Sequence, residues 1–209
     1  MIRGCFISLE GGEGTGKSTQ VKALANALET MGYKVNRTRE PGGTPGAEVI
    51  REMLLSGADE KWHMRTEALL FAAARAEHCA KLIGPALERG EWVISDRFID
   101  SSRAYQAGSG ELTDQEIMTL HSVGSGSLMP DRTFVLDLPE VVAAKRAEAR
   151  DRGDSDRIGG RDSGYHRTVM ARFRQFAEDE PDRIRLIDAS QPVESITELL
   201  LNNLGDMMA

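Results

Sequence analysis

The sequence predicts an α/β fold in three layers, a five-stranded parallel sheet with helices on both faces, and two observations predict it. Short apolar runs alternate along the chain with longer stretches of helical spacing, and strands separated by helices pair in parallel through crossovers. The first apolar run also meets a glycine-rich loop that opens directly into a helical stretch. The 209 residues suit one compact domain over 1–209 with a sizeable core. A net charge of −7 argues against a nucleic-acid-binding surface. No apolar run approaches a membrane span, and the N-terminus lacks a signal-peptide pattern. Cys5 and Cys79 are too few and too far apart for a disulfide scaffold or a zinc site. The expectation is a cytoplasmic protein with no nucleic-acid and no membrane partner.

Cys5-Phe-Ile-Ser-Leu9 reads as the first buried strand. Glu10-Gly-Gly-Glu-Gly-Thr-Gly-Lys-Ser-Thr19 follows it and, from Gly11, fits G-x-x-x-x-G-K-[ST]. The residues between and beside the framing glycines (Gly11, Gly12, Glu13, Gly14, Thr15, Gly16, Lys17, Ser18 and Thr19) form the expected cradle for a nucleoside triphosphate. Glycines let backbone N–H groups approach phosphate oxygens, and the helix N-terminus that follows favours the anion. Lys17 offers a positive charge to the β/γ-phosphates, and Ser18 a hydroxyl for Mg²⁺. Val21, Leu24, Leu28 and Met31 recur at helical spacing after the loop. Strand, loop and helix together identify a P-loop NTPase fold.

Lys34–Arg39 reads as a second strand, running into the loop Glu40-Pro-Gly-Gly-Thr-Pro-Gly46. Ligands in open parallel sheets bind beyond the carboxyl ends of strands, so Arg39 should stand at the mouth of the site. Residues 47–56 look helical. A long helix is predicted from Arg65 to Glu88, with Leu69, Leu70, Ala73, Ala76 and Ala80 as its apolar face and a break near Gly84-Pro85. Phe71 and Arg75, spaced i, i+4, share one side of it. Trp92-Val-Ile-Ser-Asp96 is a Walker-B-like strand whose terminal carboxylate would stand beside Ser18 and hold Mg²⁺.

A short helix is expected from Asp114 to Val123, then a buried strand at Phe134–Asp137 and a helix from Pro139 to about Arg150. Residues 145–167 carry Lys145, Arg146, Arg150, Arg152, Arg157, Arg161 and Arg167 among loosening glycines. They read either as a solvated helix–loop–helix or as a mobile arginine-rich lid over transferring phosphates. Helix Tyr165–Glu178, strand Arg183–Asp188 and helix Ser195–Leu204 complete the chain.

A P-loop protein can be a phosphotransfer enzyme or a nucleotide-driven switch that binds a protein partner. A guanine-reading Asn-Lys-x-Asp tetrapeptide is absent from the sequence. Arginines Arg39, Arg75 and Arg97, with those of 145–167, instead surround the expected phosphate position. A second polyanion in one site needs such cations, which favours a kinase whose acceptor is already phosphorylated.

Four motifs carry a closer resemblance: the glycine loop with Glu13 inside it, Thr38-Arg-Glu-Pro-Gly-Gly-Thr44, Leu70-Phe-Ala-Ala-Ala-Arg-Ala-Glu-His78 and Asp96-Arg-Phe-Ile-Asp-Ser-Ser-Arg-Ala-Tyr-Gln106. Through them the chain resembles the thymidylate kinases of bacterial type, from Ile7 to about Ile196. The resemblance implies ATP as donor, dTMP as acceptor, Mg²⁺ as cofactor and a homodimer. It implies Phe71 as a platform for thymine, Arg75 as donor to a base carbonyl, and Arg39 and Arg97 on the acceptor phosphate. Ser102 and Gln106 would lie along the base edge, Tyr105 under the sugar, and Glu13 near the 3′-hydroxyl.

Some family members carry an arginine inside the glycine loop. This chain has Gly12, Glu13 and Thr15 there, so the resemblance assigns catalysis to Lys17 and Arg97 with the lid arginines Arg150, Arg152 and Arg157. One departure stands out: after Asp156-Arg-Ile158 the family commonly continues with an acidic residue, whereas Gly159-Gly-Arg161 follows here. The readings to be separated are a dTMP kinase, a kinase for another nucleoside monophosphate, and an ATPase switch with a protein partner.

Overall fold

The computed structural model describes residues 3–57, 61–151 and 157–208. Its strands are β1 (Phe6–Glu10), β2 (Val35–Arg39), β3 (Trp92–Asp96), β4 (Arg132–Asp137) and β5 (Ile184–Asp188), joined in one sheet in the order β2-β3-β1-β4-β5. Every pairing is parallel. The helices are α1 (Lys17–Thr30), α2 (Pro45–Leu55), α3 (Met64–His78), α4 (Gly84–Glu88), α5 (Ile99–Tyr105), α6 (Asp114–Ser125), α7 (Glu140–Asp151), α8 (Ser163–Asp179) and α9 (Val193–Asn202).

Strand β1 lies at the centre and is buried along its whole length. Its alternation feeds two cores. Ile7 and Leu9 pack with Leu24 and Leu28 of α1 and Leu200 of α9, while Phe6 packs on the opposite face with Val93, Phe98 and Ile117. A third cluster joins Tyr105 and Val135 to Val169 and Phe173 of α8. Polar Ser8 is tolerated inside because its hydroxyl bonds that of Thr133 at 2.8 Å.

The long helix expected over Arg65–Glu88 is divided. Between α3 and α4 the backbone widens into a π-turn over Cys79–Ile83. Pro85 has no N–H and its ring crowds the carbonyl four residues before it, so the preceding turn must open. The expected apolar face is also not the buried one. Glu67, Ala68, Ala74, Arg75 and His78 are buried on α3, while Leu69 is 55% exposed. The helix turns its polar side inward because each of those charged groups meets a partner there.

Residues β1 Leu9 and β2 Arg39 both register with Asp96 of β3. The glycine loop, Asp96 and Arg39 therefore emerge together at the carboxyl edge of the sheet, above which the site is built.

Candidate active site

Backbone geometry shapes the loop first. A Cβ on Gly11, whose φ is +131°, would stand 2.5 Å from the Leu136 carbonyl oxygen. Gly16 reaches a φ of 92° as it turns into the first helical residue, Lys17. Only glycine adopts such angles without strain. Lys17 is buried, and its ammonium donates to the carbonyls of Gly12 at 2.6 Å and Gly11 at 3.2 Å. Burial, aided by Arg97, pushes its pKa down to about 8. Next to it, Ser18 donates to a carboxylate oxygen of Asp96 at 2.6 Å.

Arg97 sits in the left-handed region with a φ of 71°. Its backbone N–H donates to the Leu9 carbonyl at 2.9 Å, which holds the turn at the end of β3. The guanidinium donates to the Gly11 carbonyl at 3.0 Å, to Ser101 at 3.2 Å and to Glu13 at 3.0 Å. It also lies 5.0 Å from the centre of the Tyr105 ring, a cation–π contact. Beneath the turn, Glu10 accepts from the Phe98 backbone N–H at 2.7 Å and from the Ser101 hydroxyl. Burial and the nearby Asp100 push the Glu10 carboxyl up to about 8.

A second charged chain organises α3. Arg75 Nε donates to Glu40 at 2.8 Å and its Nη2 to Ser102 at 2.9 Å. The other Glu40 oxygen meets His78 Nδ1 at 3.0 Å, and His78 Nε2 meets Thr38 at 2.6 Å. Arg75, Glu40 and His78 are all buried. Arg39, by contrast, is exposed and paired with Glu48 at 3.1 Å. Gln106 donates its amide N–H to Glu67 at 2.9 Å.

Part of this set borders one cavity of about 860 Å³; Gly11, Gly12, Glu67 and His78 do not line it. The glycine loop from Glu13 to Gln20 and Asp96 line one part of it, and Arg39, Phe71, Arg75, Arg97, Ser102, Tyr105 and Gln106 another. Glycine loop, Phe71, Tyr105 and the arginines Arg39, Arg75 and Arg97 thus share one chamber. Arg51, Arg146 and the segment Ala189–Val193 also line it. Sequence reasoning gave Arg51 and Ala189–Val193 no role, since neither carries a local motif. Glu10, Glu40, Glu67 and His78 were likewise left without a task; an acid closing an apolar strand was the one available signal, for Glu10.

Of the lid arginines, the described backbone reaches Arg150 in α7 but not its side chain, and Arg152 lies outside the described residues. Arg157 is not brought to the glycine loop. Its guanidinium is buried on the Glu67 carboxylate and donates to the Leu54 carbonyl at 2.8 Å. A buried cation needs a buried partner, and Glu67 on α3 supplies it. Arg161 donates to the same Glu67 oxygen at 2.8 Å.

Comparison with known proteins agrees with this geometry. The family model for thymidylate kinase matches residues 9–200. A thymidylate kinase of Rhizorhabdus wittichii is 52% identical over 98% of this chain and 99% of its own length. One from Caulobacter vibrioides is 45% identical over 94% of each. The crystal structure of thymidylate kinase from Ehrlichia chaffeensis superposes with a TM-score of 0.75 at 29% identity, covering 97% of this chain and 99% of that one. A chamber joining a glycine loop to an aromatic, arginine-lined slot, and matches that run nearly end to end, lead to one conclusion: this chain belongs to the thymidylate kinase family.

Proposed function

We propose that the protein transfers the γ-phosphoryl group of Mg·ATP to dTMP, giving ADP and dTDP. The observation that carries this reading is the shared chamber. The loop Glu13–Thr19 and the slot of Phe71, Arg75 and Ser102 open into the same 860 Å³, and Arg97 there touches both Glu13 and the Tyr105 ring. A donor in the loop and a nucleotide in the slot would meet phosphate to phosphate.

The acceptor is a phosphate monoester, ionised near neutral pH, so no strong general base is required. Catalysis is then positioning and charge neutralisation. In this proposal Lys17 holds the β/γ-phosphates, and Arg97 and Arg39 aim the acceptor phosphate. Phe71 offers a face to the pyrimidine ring, and Arg75 donates to a base carbonyl beside Ser102 and Gln106. Tyr105 supports the deoxyribose, and Glu13 lies near its 3′-hydroxyl. Arg150 and Arg152 are assigned to the transferring phosphoryl group. Arg157, held on Glu67, acts there only by leaving that carboxylate.

Ser18 and Asp96 fit a Mg²⁺ role, since a hydroxyl and a carboxylate, both hard oxygen donors, stand 2.6 Å apart at the loop. The ion would draw charge from the phosphate oxygens. Unpaired thiols at Cys5 and Cys79 suit a cytoplasmic setting, and no described helix is long and apolar enough to cross a membrane. We further assign the chain to a single functional domain and a homodimer. Val49 and Met53 of α2, Leu69 of α3 and Val123 of α6 are exposed apolar side chains on helices packed side by side, which supports dimerisation.

A coupled ADP-release assay with dTMP, dUMP, dCMP, AMP, UMP and no acceptor tests the reaction. dTMP-dependent turnover is expected. Turnover without acceptor, or only with a protein partner, points to an ATPase switch; preference for AMP or dCMP overturns the base assignment alone.

A further inference from the structure

We infer that Glu10 is a positioning residue that holds Arg97 in its left-handed turn and so keeps the guanidinium against both Glu13 and the Tyr105 ring. The inference rests on the proposed role of Arg97 toward dTMP and deepens it.

Glu10 is fully buried and does not line the cavity, so a nucleotide held there does not touch it. It closes β1, a strand buried along its whole length. A carboxyl in such a place has to be matched by donors. Both of its donors belong to the segment that follows Arg97. Oε1 accepts from the Phe98 backbone N–H at 2.7 Å, and Oε2 from the Ser101 hydroxyl at 2.5 Å.

Among the described residues, Arg97 and Ser127 are the non-glycine positions with positive φ. That conformation crowds a Cβ against the following carbonyl oxygen. Glycine would relieve the crowding but would remove the guanidinium. A strained turn persists only where its surroundings over-determine it, and here three bonds do so. The Arg97 N–H donates to the Leu9 carbonyl at 2.9 Å, and the Ser95 hydroxyl donates to the Arg97 carbonyl at 2.7 Å. Those two hold the residue itself. The third, from Phe98 to Glu10, fixes the direction in which the chain leaves it. The Phe98 ring, edge-on to Phe6 at 4.7 Å, anchors the same exit.

The side chain is set by the same carboxyl. Ser101 stands in the first turn of α5, and its hydroxyl also accepts from Arg97 Nη1 at 3.2 Å. A guanidinium can only donate, so the hydroxyl gives it a lone pair while its proton goes to Glu10. Arg97 Nη1 also donates to the Gly11 carbonyl, and Nη2 to Glu13. Backbone and head group of Arg97 are thus both tied to Glu10, one through Phe98 and one through Ser101. The Phe98 bond needs only an acceptor oxygen, so the role is one of shape rather than charge.

Glu10→Ala leaves the Phe98 N–H buried without its acceptor, and should lower kcat/KM for dTMP about 30-fold, with the KM for ATP little changed. Made on an Arg97→Ala background, the same substitution should cost nothing further, because it acts through that guanidinium. Glu10→Gln keeps an amide oxygen for Phe98 and an NH₂ for Ser101, and should restore most of the loss. Ser101→Ala removes only a hydroxyl and serves should Glu10→Ala not fold. It too should lower kcat/KM for dTMP, and cost nothing on Arg97→Ala. An equal fall on the Arg97→Ala background, a matching rise in the KM for ATP, or a Glu10→Gln as impaired as Glu10→Ala overturns the inference. Wild-type protein with no dTMP-dependent turnover overturns the proposed function instead. Hydrogen exchange then decides for Glu10: the Arg97 N–H should exchange about tenfold faster in Glu10→Ala, and unchanged exchange rejects the holding role.

Discussion

Ser18 and Asp96, 78 residues apart in sequence, share a hydrogen bond of 2.6 Å between the first helical turn after the glycine loop and the end of β3. Sheet register makes the pairing possible, since Asp96 lies level with Leu9 at the start of the loop. If both oxygens serve Mg²⁺, Asp96→Asn should lower kcat about 100-fold, roughly 2.7 kcal/mol in the barrier. The Mg²⁺ concentration for half-maximal rate should rise as well. An unchanged Mg²⁺ dependence in a folded Asp96→Asn protein would remove the metal role from this carboxylate.

Arg97 joins the two halves of the chamber, donating to Glu13 of the glycine loop and lying over the Tyr105 ring of the slot. Its forked geometry, not its charge alone, matches a phosphate. Arg97→Ala should therefore reduce kcat/KM for dTMP about 1,000-fold, roughly 4 kcal/mol. Arg97→Lys should recover less than a tenth of that loss. Steady-state kinetics at varied dTMP would check both, and full recovery by lysine would reduce the role to simple charge.

Protonation should follow the buried pair Glu10 and Lys17. Lys17 is held down near 8 from an ordinary 10.5, and bound phosphates should raise it again. Nucleotide binding near pH 8 should then take up about half a proton, read by calorimetry in buffers of different ionisation enthalpy. Glu10 moves the other way, from 4.5 up to about 8. Its folded pKa exceeds its unfolded one, so its contribution to stability is complete below about 4.5 and is lost as pH rises through about 8. Glu10→Gln should flatten that decline in Tm.

Much of the fold was legible because its strongest signals are local. Apolar runs ending at Leu9 and Asp96, with a glycine loop between strand and helix, fixed the order of layers and the position of Lys17 and Ser18. The inward face of α3 was not legible. Apolar spacing pointed to Leu69 and Ala73, but the buried residues there include Glu67, Arg75 and His78. Their partners, Arg157, Glu40 and Thr38, come from distant segments, and no spacing rule pairs residues across such separations. The placement of Arg157 was hidden for the same reason: its partner belongs to α3, not to its own segment.

The Glu40 carboxylate is the hinge of the chain from Thr38 through His78 to Arg75. Glu40→Ala leaves the Arg75 guanidinium buried without its partner, which should cost about 3–5 kcal/mol of stability, measured by urea denaturation. Gly43→Ala should destabilise the same corner, since its Cβ would stand 2.4 Å from the Thr38 hydroxyl and 2.5 Å from His78 Nε2. A Glu40→Ala midpoint equal to wild type would show that Arg75 finds another partner.

Val123 tests the proposed homodimer. It is 86% exposed on α6, beside α3, whose Leu69 is also open to solvent. In a twofold interface each substitution appears twice, so one introduced charge meets or approaches its own copy. Val123→Glu should thus weaken self-association at least 100-fold while leaving the fold intact, because the side chain supports no core. Sedimentation velocity across a concentration series would read the shift from dimer to monomer. A wild-type protein that sediments as a monomer at every concentration would leave this apolar face without the partner assigned to it. A Val123→Glu dimer as tight as the wild type would move the contact elsewhere on the surface.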